Sequence, residues 1–383
     1  MTDLESAAIL AKRWLYSETQ VTSLNFMQTL HEVTKATDGD PICAMNTFRI
    51  PSLDGLRALA IILVILNHLH SGHSFRALDF LWKMELLGNT GVRIFFVLSG
   101  FLITSLLRLE YLKRGRNDLS AFYLRRALRI WPAYYFFLLV VLASILIGKQ
   151  DFKSSELIGP ALFISNYVPL STMVLAHTWS LSVEEQFYLI WPFLIKIIGW
   201  RAASYVVLIF CIASPILRIF VAFSQEKVQI FWYHFEHAGD AIGWGCLYAL
   251  ARDGCRLPSV SAKNSARIAW AALGALLIIS TSGGQPIFWA GIGSVLANVL
   301  VVLLLHGALN SDGTRLFNIL NSRIATEIGV ISFSLYLWQE VFLFGGFKIA
   351  APWNLCVIFI FAYTSYYVIE RPFLSLKNKL VKS

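Results

Sequence analysis

Long apolar runs, each interrupted by a few polar or basic residues, recur along the chain from residue 50 onward. The first, DGLRALAIILVILNHLHSGH from Asp54 to His73, predicts a membrane helix: between Leu56 and Leu69 only Arg57, Asn67 and His68 are polar. A stretch of about 20 apolar residues is what a helix needs to cross the hydrocarbon layer. Further spans are expected from Thr90 (TGVRIFFVLSGFLITSLLRL) and over Trp131–Gly148, His177–Trp200, Ala203–Phe223, Ala238–Ala251, Ile268–Thr281, Ile287–His306, Thr326–Phe347 and Trp353–Ile369. Leu157–Leu170 is apolar but short and holds Pro160 and Pro169, so it reads as re-entrant or interfacial. The pattern predicts an all-α polytopic membrane bundle of about ten transmembrane helices plus that short re-entrant segment.

Three regions follow: a polar N-terminal extension (1–49), a membrane domain (50–373) and a short basic tail (374–383). The extension opens MTDLES, acidic and without an uninterrupted apolar core, so it reads as a cytoplasmic tail rather than a signal peptide. Within the spans, Ser99-Gly100 offers a small-residue notch for close helix packing. Ser182 followed by Glu185 fits a capping box that would start a helix there. Glu184 cannot fill that role by spacing, and its place beside His177 marks a candidate polar site.

Composition supports the membrane reading: of 383 residues 57% are hydrophobic and only 14% charged. The net charge of +9 does not point to nucleic acid, because Lys and Arg gather between the spans as a topology signal would require. Basic loops alternate with short or nearly neutral ones, which places both termini in the cytoplasm. Cys43, Cys211, Cys246, Cys255 and Cys356 are scattered without CxxC pairing, which supports neither a disulfide framework nor a metal site.

Charge inside the apolar runs carries the candidate chemistry. Arg57 and His68 stand eleven positions apart, which on a helix returns nearly the same azimuth about 16 Å further on. Asp54, one turn earlier, is placed to hold the Arg57 guanidinium. Alone, Arg57 reads as a positive-inside anchor and His68 as a helix-end residue reaching headgroups. Together on one face of a span, they point to a polar site in the bundle interior. Arg93 also lies close to the membrane core. The most basic loop, Arg108 to Arg129, includes Arg125, Arg126 and Arg129. It serves topology, and it also suits the phosphates of a nucleotide-bearing donor.

Six blocks, in order, resemble the integral-membrane acyltransferase family 3, whose members O-acylate surface glycans and some natural products. They are SLDGLRALAIILVILNH, GVRIFFVLSGFLIT, FYLRRALRIWPAYY, TWSLSVEEQFYLIWP, ISFSLYLWQE and YYVIERPF. The resemblance covers roughly residues 50–373. It implies an O-acetyltransferase of the bacterial inner membrane that moves an acyl group from cytoplasmic acyl-coenzyme A to a hydroxyl, with no metal. The acceptor expected is carbohydrate, another surface or lipid-linked molecule, or a small molecule. In that family the residues matching His68 and Arg57 are regarded as essential. Asp54 and Glu184 join them here as candidate catalytic residues, with Arg93, Arg125, Arg126 and Arg129 as candidate donor-binding residues.

His68 suits a general base, since imidazole titrates near neutral pH, and equally a nucleophile that carries the acyl group. Both routes remain open at this point. Arg57 suits donor phosphate or developing negative charge. The family commonly has His where this chain has Gln339. Gln cannot titrate there, though it can hydrogen-bond. A transporter is the rival class, since it too uses intramembrane charge, but the sequence lacks the inverted repeat and matched broken spans of that class.

Overall fold

The structure, a computed structural model, describes residues 50–71, 87–149, 152–224, 233–253, 260–281, 286–345, 347, 349 and 352–380. The extension expected over 1–49, together with Cys43 and Cys255, lies outside them. All regular structure among the described residues is helical. The helices are α1 Pro51–Ser71, α2 Leu87–Arg114, α3 Leu119–Leu146, α4 Ile158–Ala161 and α5 Thr178–Phe223. Next come α6 Phe235–Ala238, α7 Asp240–Asp253, α8 Ala262–Thr281, α9 Pro286–Phe288 and α10 Ser294–Leu309. The last five are α11 Arg315–Leu320, α12 Arg323–Val330, α13 Ser332–Leu343, α14 Trp353–Ser365 and α15 Arg371–Leu380.

Seven helical stretches among the described residues are long and apolar enough to cross a membrane. They are Pro51–Leu69, Leu87–Arg114, Leu119–Leu146, Met173–Phe223, Ala262–Ser280, Trp289–Leu309 and Trp353–Leu376. Ten apolar runs thus become seven such helices, for three physical reasons. The run Ala238–Ala251 folds as α7, which at 14 residues is only about 21 Å long. The run Thr326–Phe347 is broken at Ile331 into the short helices α12 and α13. The runs on either side of residues 201–202 form the single long helix α5.

That long helix is not straight. Gly199 sits at φ 76° and ψ 167°, a conformation open essentially to glycine alone, where a Cβ would cost about 1–3 kcal/mol. Contacts on either side show that the chain turns back there. Before Gly199, Glu184 meets Ser99 and Trp191 meets Thr104, and at the turn itself Trp200 faces Arg108, so this arm runs in the same sense as α2. After it, Cys211 meets Asp240 and Ser214 meets Glu236, while α7 itself runs alongside α2 from Gly100 to Arg108. The second arm therefore runs opposite to the first.

Packing follows the small residues. A Cβ on Gly100 would strike the carbonyl of Ile242, and one on Gly245 would strike the carbonyl of Val97, so α2 and α7 meet backbone to backbone. In a bilayer, where burial of apolar side chains gains little, such close van der Waals contact is a main source of helix association. On the other side of α2, Gly91 accommodates Ala60 of α1, and Gly329 of α12 lies on the backbone of Asp54.

Other expectations change in detail. The basic loop from Arg108 to Arg129 is mostly helix: α2 runs on to Arg114, and α3 begins at Leu119 under the Asp118 cap, which accepts from Ala121 N at 3.0 Å. The basic tail from 374 continues as α15. Leu157–Leu170 holds one helical turn, and the phenols of Tyr134 and Tyr135 donate to its carbonyls at Pro160 and Ala161. Ser182 does not cap a helix. α5 has already begun at Thr178, and the Ser182 hydroxyl donates to the Thr178 carbonyl and pairs with Ser165 at 2.8 Å. Glu185 instead accepts from Trp131 Nε1 at 3.2 Å.

Candidate active site

α1 carries Asp54, Arg57 and His68 up through the bundle. Arg57 donates to Asp54 Oδ1 at 2.8 Å, one turn back on the same helix. Eleven residues further on, His68 Nε2 lies 3.5 Å from Glu340 Oε1 of α13. The other oxygen of that carboxylate is taken by His177: Oε2 is 2.6 Å from its Nδ1 and accepts from its backbone N–H at 3.0 Å. One carboxylate thus joins two imidazoles contributed by α1 and the start of α5. His177 and Glu340 are about 1% exposed, and His68 is 15%. His68 Nδ1 and His177 Nε2 are buried and have no hydrogen-bond partner.

Below this cluster a cavity of about 530 Å³ opens toward the basic end of the bundle. That size falls within the roughly 300–1,000 Å³ of small-ligand sites. Asp54, Arg57, Arg126 and Arg129 line its basic end, with Glu370 of the π-turn that joins α14 to α15. Arg126 and Arg129 lie near enough for their charges to act on Arg57. Further in, Glu184 accepts from Ser99 at 2.9 Å and from Tyr188 at 2.8 Å, and the Arg126 guanidinium stacks 4.7 Å from the Tyr188 ring centre. At the deep end the hydroxyls of Ser180 and Tyr336 meet at 2.6 Å. Tyr336 also donates to the His177 carbonyl at 3.0 Å, which links the cavity wall to the histidine cluster.

The cavity wall therefore includes Asp54, Arg57, Glu184, Arg126 and Arg129 among the residues singled out from sequence. His68 stands beyond it, and Arg93 and Arg125 are elsewhere. Arg125 faces Glu110 at 3.7 Å. Val92, Phe95 and Phe96 line the cavity, whereas Arg93 projects from another face of α2. There it donates to Asn298 Oδ1 at 2.8 Å and to Ser294 at 3.0 Å. Asn298 in turn donates to Asp240, whose carboxylate is paired with Arg218 at 2.9 Å, so this polar cluster is separate from the cavity. Glu184 and His177, expected as neighbours, each have other partners because seven helical positions, about 10 Å, separate them.

Glu340 is absent from the residues expected from sequence, although it is a carboxylate inside the apolar run ISFSLYLWQEVFLF and obeys the same rule that singles out Arg57. The amide of its neighbour Gln339 is fully buried, and neither of its polar atoms has a partner, so the hydrogen bonding expected there is not made. Ser180 and Tyr336 carried no signal beyond the blocks that contain them. Among the described residues no group of three His, Cys, Asp or Glu side chains could hold a metal ion.

Comparison with known sequences bears on this geometry. Residues 50–369 match the profile of a family described as an acyltransferase domain. The peptidoglycan O-acetyltransferase OatA of Listeria monocytogenes is 31% identical over 316 residues, which cover 76% of this chain and 49% of that protein. The O-acetyltransferase OatA of Staphylococcus aureus is 30% identical over 318 residues, 76% of this chain and 50% of the relative. The chain spans about half the length of the curated relatives it matches. No solved structure matches.

Proposed function

The chain belongs to the acyltransferase 3 family, and we propose that it transfers an acyl group, acetyl foremost, from acyl-coenzyme A to a hydroxyl of a glycan. The observation that carries this reading is the cavity, which leads from Arg57, Arg126 and Arg129 to the Ser180–Tyr336 pair under the His68–Glu340–His177 cluster. The OatA relatives support acetyl as the group and a cell-wall glycan as the acceptor class.

Arg126 and Arg129 bind the donor phosphates at the basic end, where guanidinium forks suit phosphate oxygens. Arg57, held by Asp54, adds charge where the pantetheine arm passes. Arg125 and Arg93 are left out of this role, since Glu110, Asn298 and Ser294 already engage them. The thioester then reaches the deep end, where the Ser180 hydroxyl, turned from its contact with Tyr336, can donate to the developing oxyanion.

His68 takes the acceptor proton at its free Nδ1, while Glu340 holds the Nε2 side and stabilises the imidazolium that forms. The alkoxide attacks the thioester carbonyl, coenzyme A leaves as thiolate, and His68 returns the proton to it. A route in which His68 carries the acyl group uses the same atoms. Glu184 fixes Tyr188 and Ser99, and through Tyr188 the position of Arg126.

In the membrane, the two arms of α5, the short α7 and the α12–α13 pair complete ten crossings, with both termini and the basic cavity mouth on the cytoplasmic side. The membrane concerned is the bacterial inner membrane.

The test is thiol release by the purified protein given acetyl-coenzyme A, with and without a soluble peptidoglycan fragment. Acceptor-dependent release of thiol is expected. Passage of the donor without thiol release would indicate a transporter instead.

A further inference from the structure

Two close, tilted aromatic pairs lie beside the histidine cluster and have no part in the scheme above. Trp179, two residues after His177, packs on Tyr233 with ring centres 4.7 Å apart and planes inclined by 42°. The next residue in the chain, His234, packs on Tyr167 at 4.6 Å and 48°. The two pairs form one patch because residues 233 and 234 are consecutive. Tyr233 and Tyr167 are 41% and 43% exposed. A carboxylate borders the patch: Glu236 accepts from the Tyr167 hydroxyl at 2.8 Å and stands 3.3 Å from His234 Nδ1, and its side chain is 43% exposed.

The patch adjoins the reacting end of the molecule. Trp179 packs edge-on against Phe96, a residue of the cavity wall. Partial burial and then the charge of Glu340 push the Tyr233 phenol up, so that ring stands within electrostatic reach of the carboxylate that joins the histidines. Burial and the bond to Glu236 push the Tyr167 phenol up to about 12, so it remains a hydroxyl donor at neutral pH.

Exposed Tyr and Trp near a membrane surface commonly form an interfacial belt, each ring standing singly at headgroup level. Here the rings stand in tilted pairs, and one pair holds a carboxylate, which a belt does not require. Tilted aromatic faces beside a hydrogen-bonding carboxylate are the chemistry that holds a sugar ring. The C–H face of a pyranose packs on the ring, and its hydroxyls bond the acid and the phenols. Glu236 keeps acceptor capacity after its two existing contacts, because a carboxylate offers about four lone-pair sites.

We propose that Trp179, Tyr233, Tyr167 and His234, with Glu236, form a saccharide-binding platform that delivers a glycan hydroxyl to the His68–Glu340–His177 cluster. The platform rests on the acyl-transfer reading for its acceptor role, but not for its ability to bind sugar.

The experiment measures two things on the full chain in lipid nanodiscs: affinity for a soluble peptidoglycan disaccharide–tetrasaccharide mixture, and acetyl transfer to it from acetyl-coenzyme A. Tyr233→Ala and Tyr167→Ala are each expected to weaken affinity and raise KM for the saccharide about tenfold, as the loss of one stacking face implies. KM for acetyl-coenzyme A is expected to stay within about twofold of the parent, on the same reasoning. Tyr233→Phe keeps the ring and is expected to restore binding.

Saccharide affinity and KM unchanged in both alanine variants would overturn the platform and leave acyl transfer standing. So would a parent protein that does not bind the saccharide at all. Saccharide binding that depends on these rings, without any thiol release, would keep the platform and overturn acyl transfer. A loss in Tyr233→Ala that goes with a lowered melting temperature and disappears when affinity is counted per folded molecule would assign the ring to folding and overturn its part in binding.

Discussion

Glu340 is the residue on which the proposed chemistry turns, because it touches both imidazoles and is itself cut off from water. A buried carboxylate is tolerated only where it is paired, and its two oxygens are divided between His68 and His177. Glu340→Gln keeps the volume and one acceptor oxygen but removes the charge that supports an imidazolium. It is expected to lower kcat on the order of a hundredfold, within the usual range for a positioned acid–base partner, with KM for acyl-coenzyme A nearly unchanged. Steady-state kinetics on matched amounts of folded protein checks this, and a variant with full turnover would remove Glu340 from the mechanism. Arg57→Lys is expected to raise donor KM. A point-charge ammonium does not replace the fork that holds Asp54 while offering N–H groups to a ligand. Equal donor KM in the two proteins would reduce Arg57 to an anchor of topology.

At the scale of the element, two glycines carry consequences that differ in kind. Gly100 lies where α2 meets the backbone of α7, so a large side chain there must push two helices apart. Gly100→Leu is expected to cost about 1–3 kcal/mol or more, as overpacking does, and to show as a lowered unfolding temperature in detergent. Gly199 has open space around it, and only its φ is special. Gly199→Ala is expected to cost about 1–3 kcal/mol from strain alone, with no change in the cavity. Activity per folded molecule separates the two cases: it is expected to fall in the Leu variant and to hold in the Ala variant.

Elements also show where sequence reading works. The Arg57–Asp54 pair and the α1 face that ends in His68 follow from periodicity within one helix, which a sequence displays directly. The start of α3 at Leu119 is a local cap by Asp118, whereas the break at Ile331 and the shortness of α7 have no such signal in their own runs. The capping box at Ser182 was a local signal overridden by partners 17 residues away, at Ser165.

For the whole molecule, the central question is which groups share a space. Apolar runs give the helices but not their neighbours, so Arg93 and Arg126 look alike in sequence and lie in different polar clusters. Glu340 is legible as a carboxylate inside an apolar run, but its two histidine partners and the Ser180–Tyr336 pair depend on how α13 packs against α1 and α5. Neutralising the cavity mouth as Arg126→Gln with Arg129→Gln is expected to raise KM for acyl-coenzyme A about tenfold or more, the weight of one or two charge-assisted contacts. Because other basic residues remain at that end, orientation in the membrane is expected to hold. Kinetics at low salt would show it.

The most direct measurement is transfer of radiolabelled acetyl from acetyl-coenzyme A to a soluble glycan by the purified parent and by His68→Ala, with donor binding measured on the same samples. The account predicts labelled product from the parent, and from His68→Ala a donor affinity within about twofold of the parent with product lowered on the order of a hundredfold or more. Labelled glycan formed by His68→Ala at the parent's rate would contradict it.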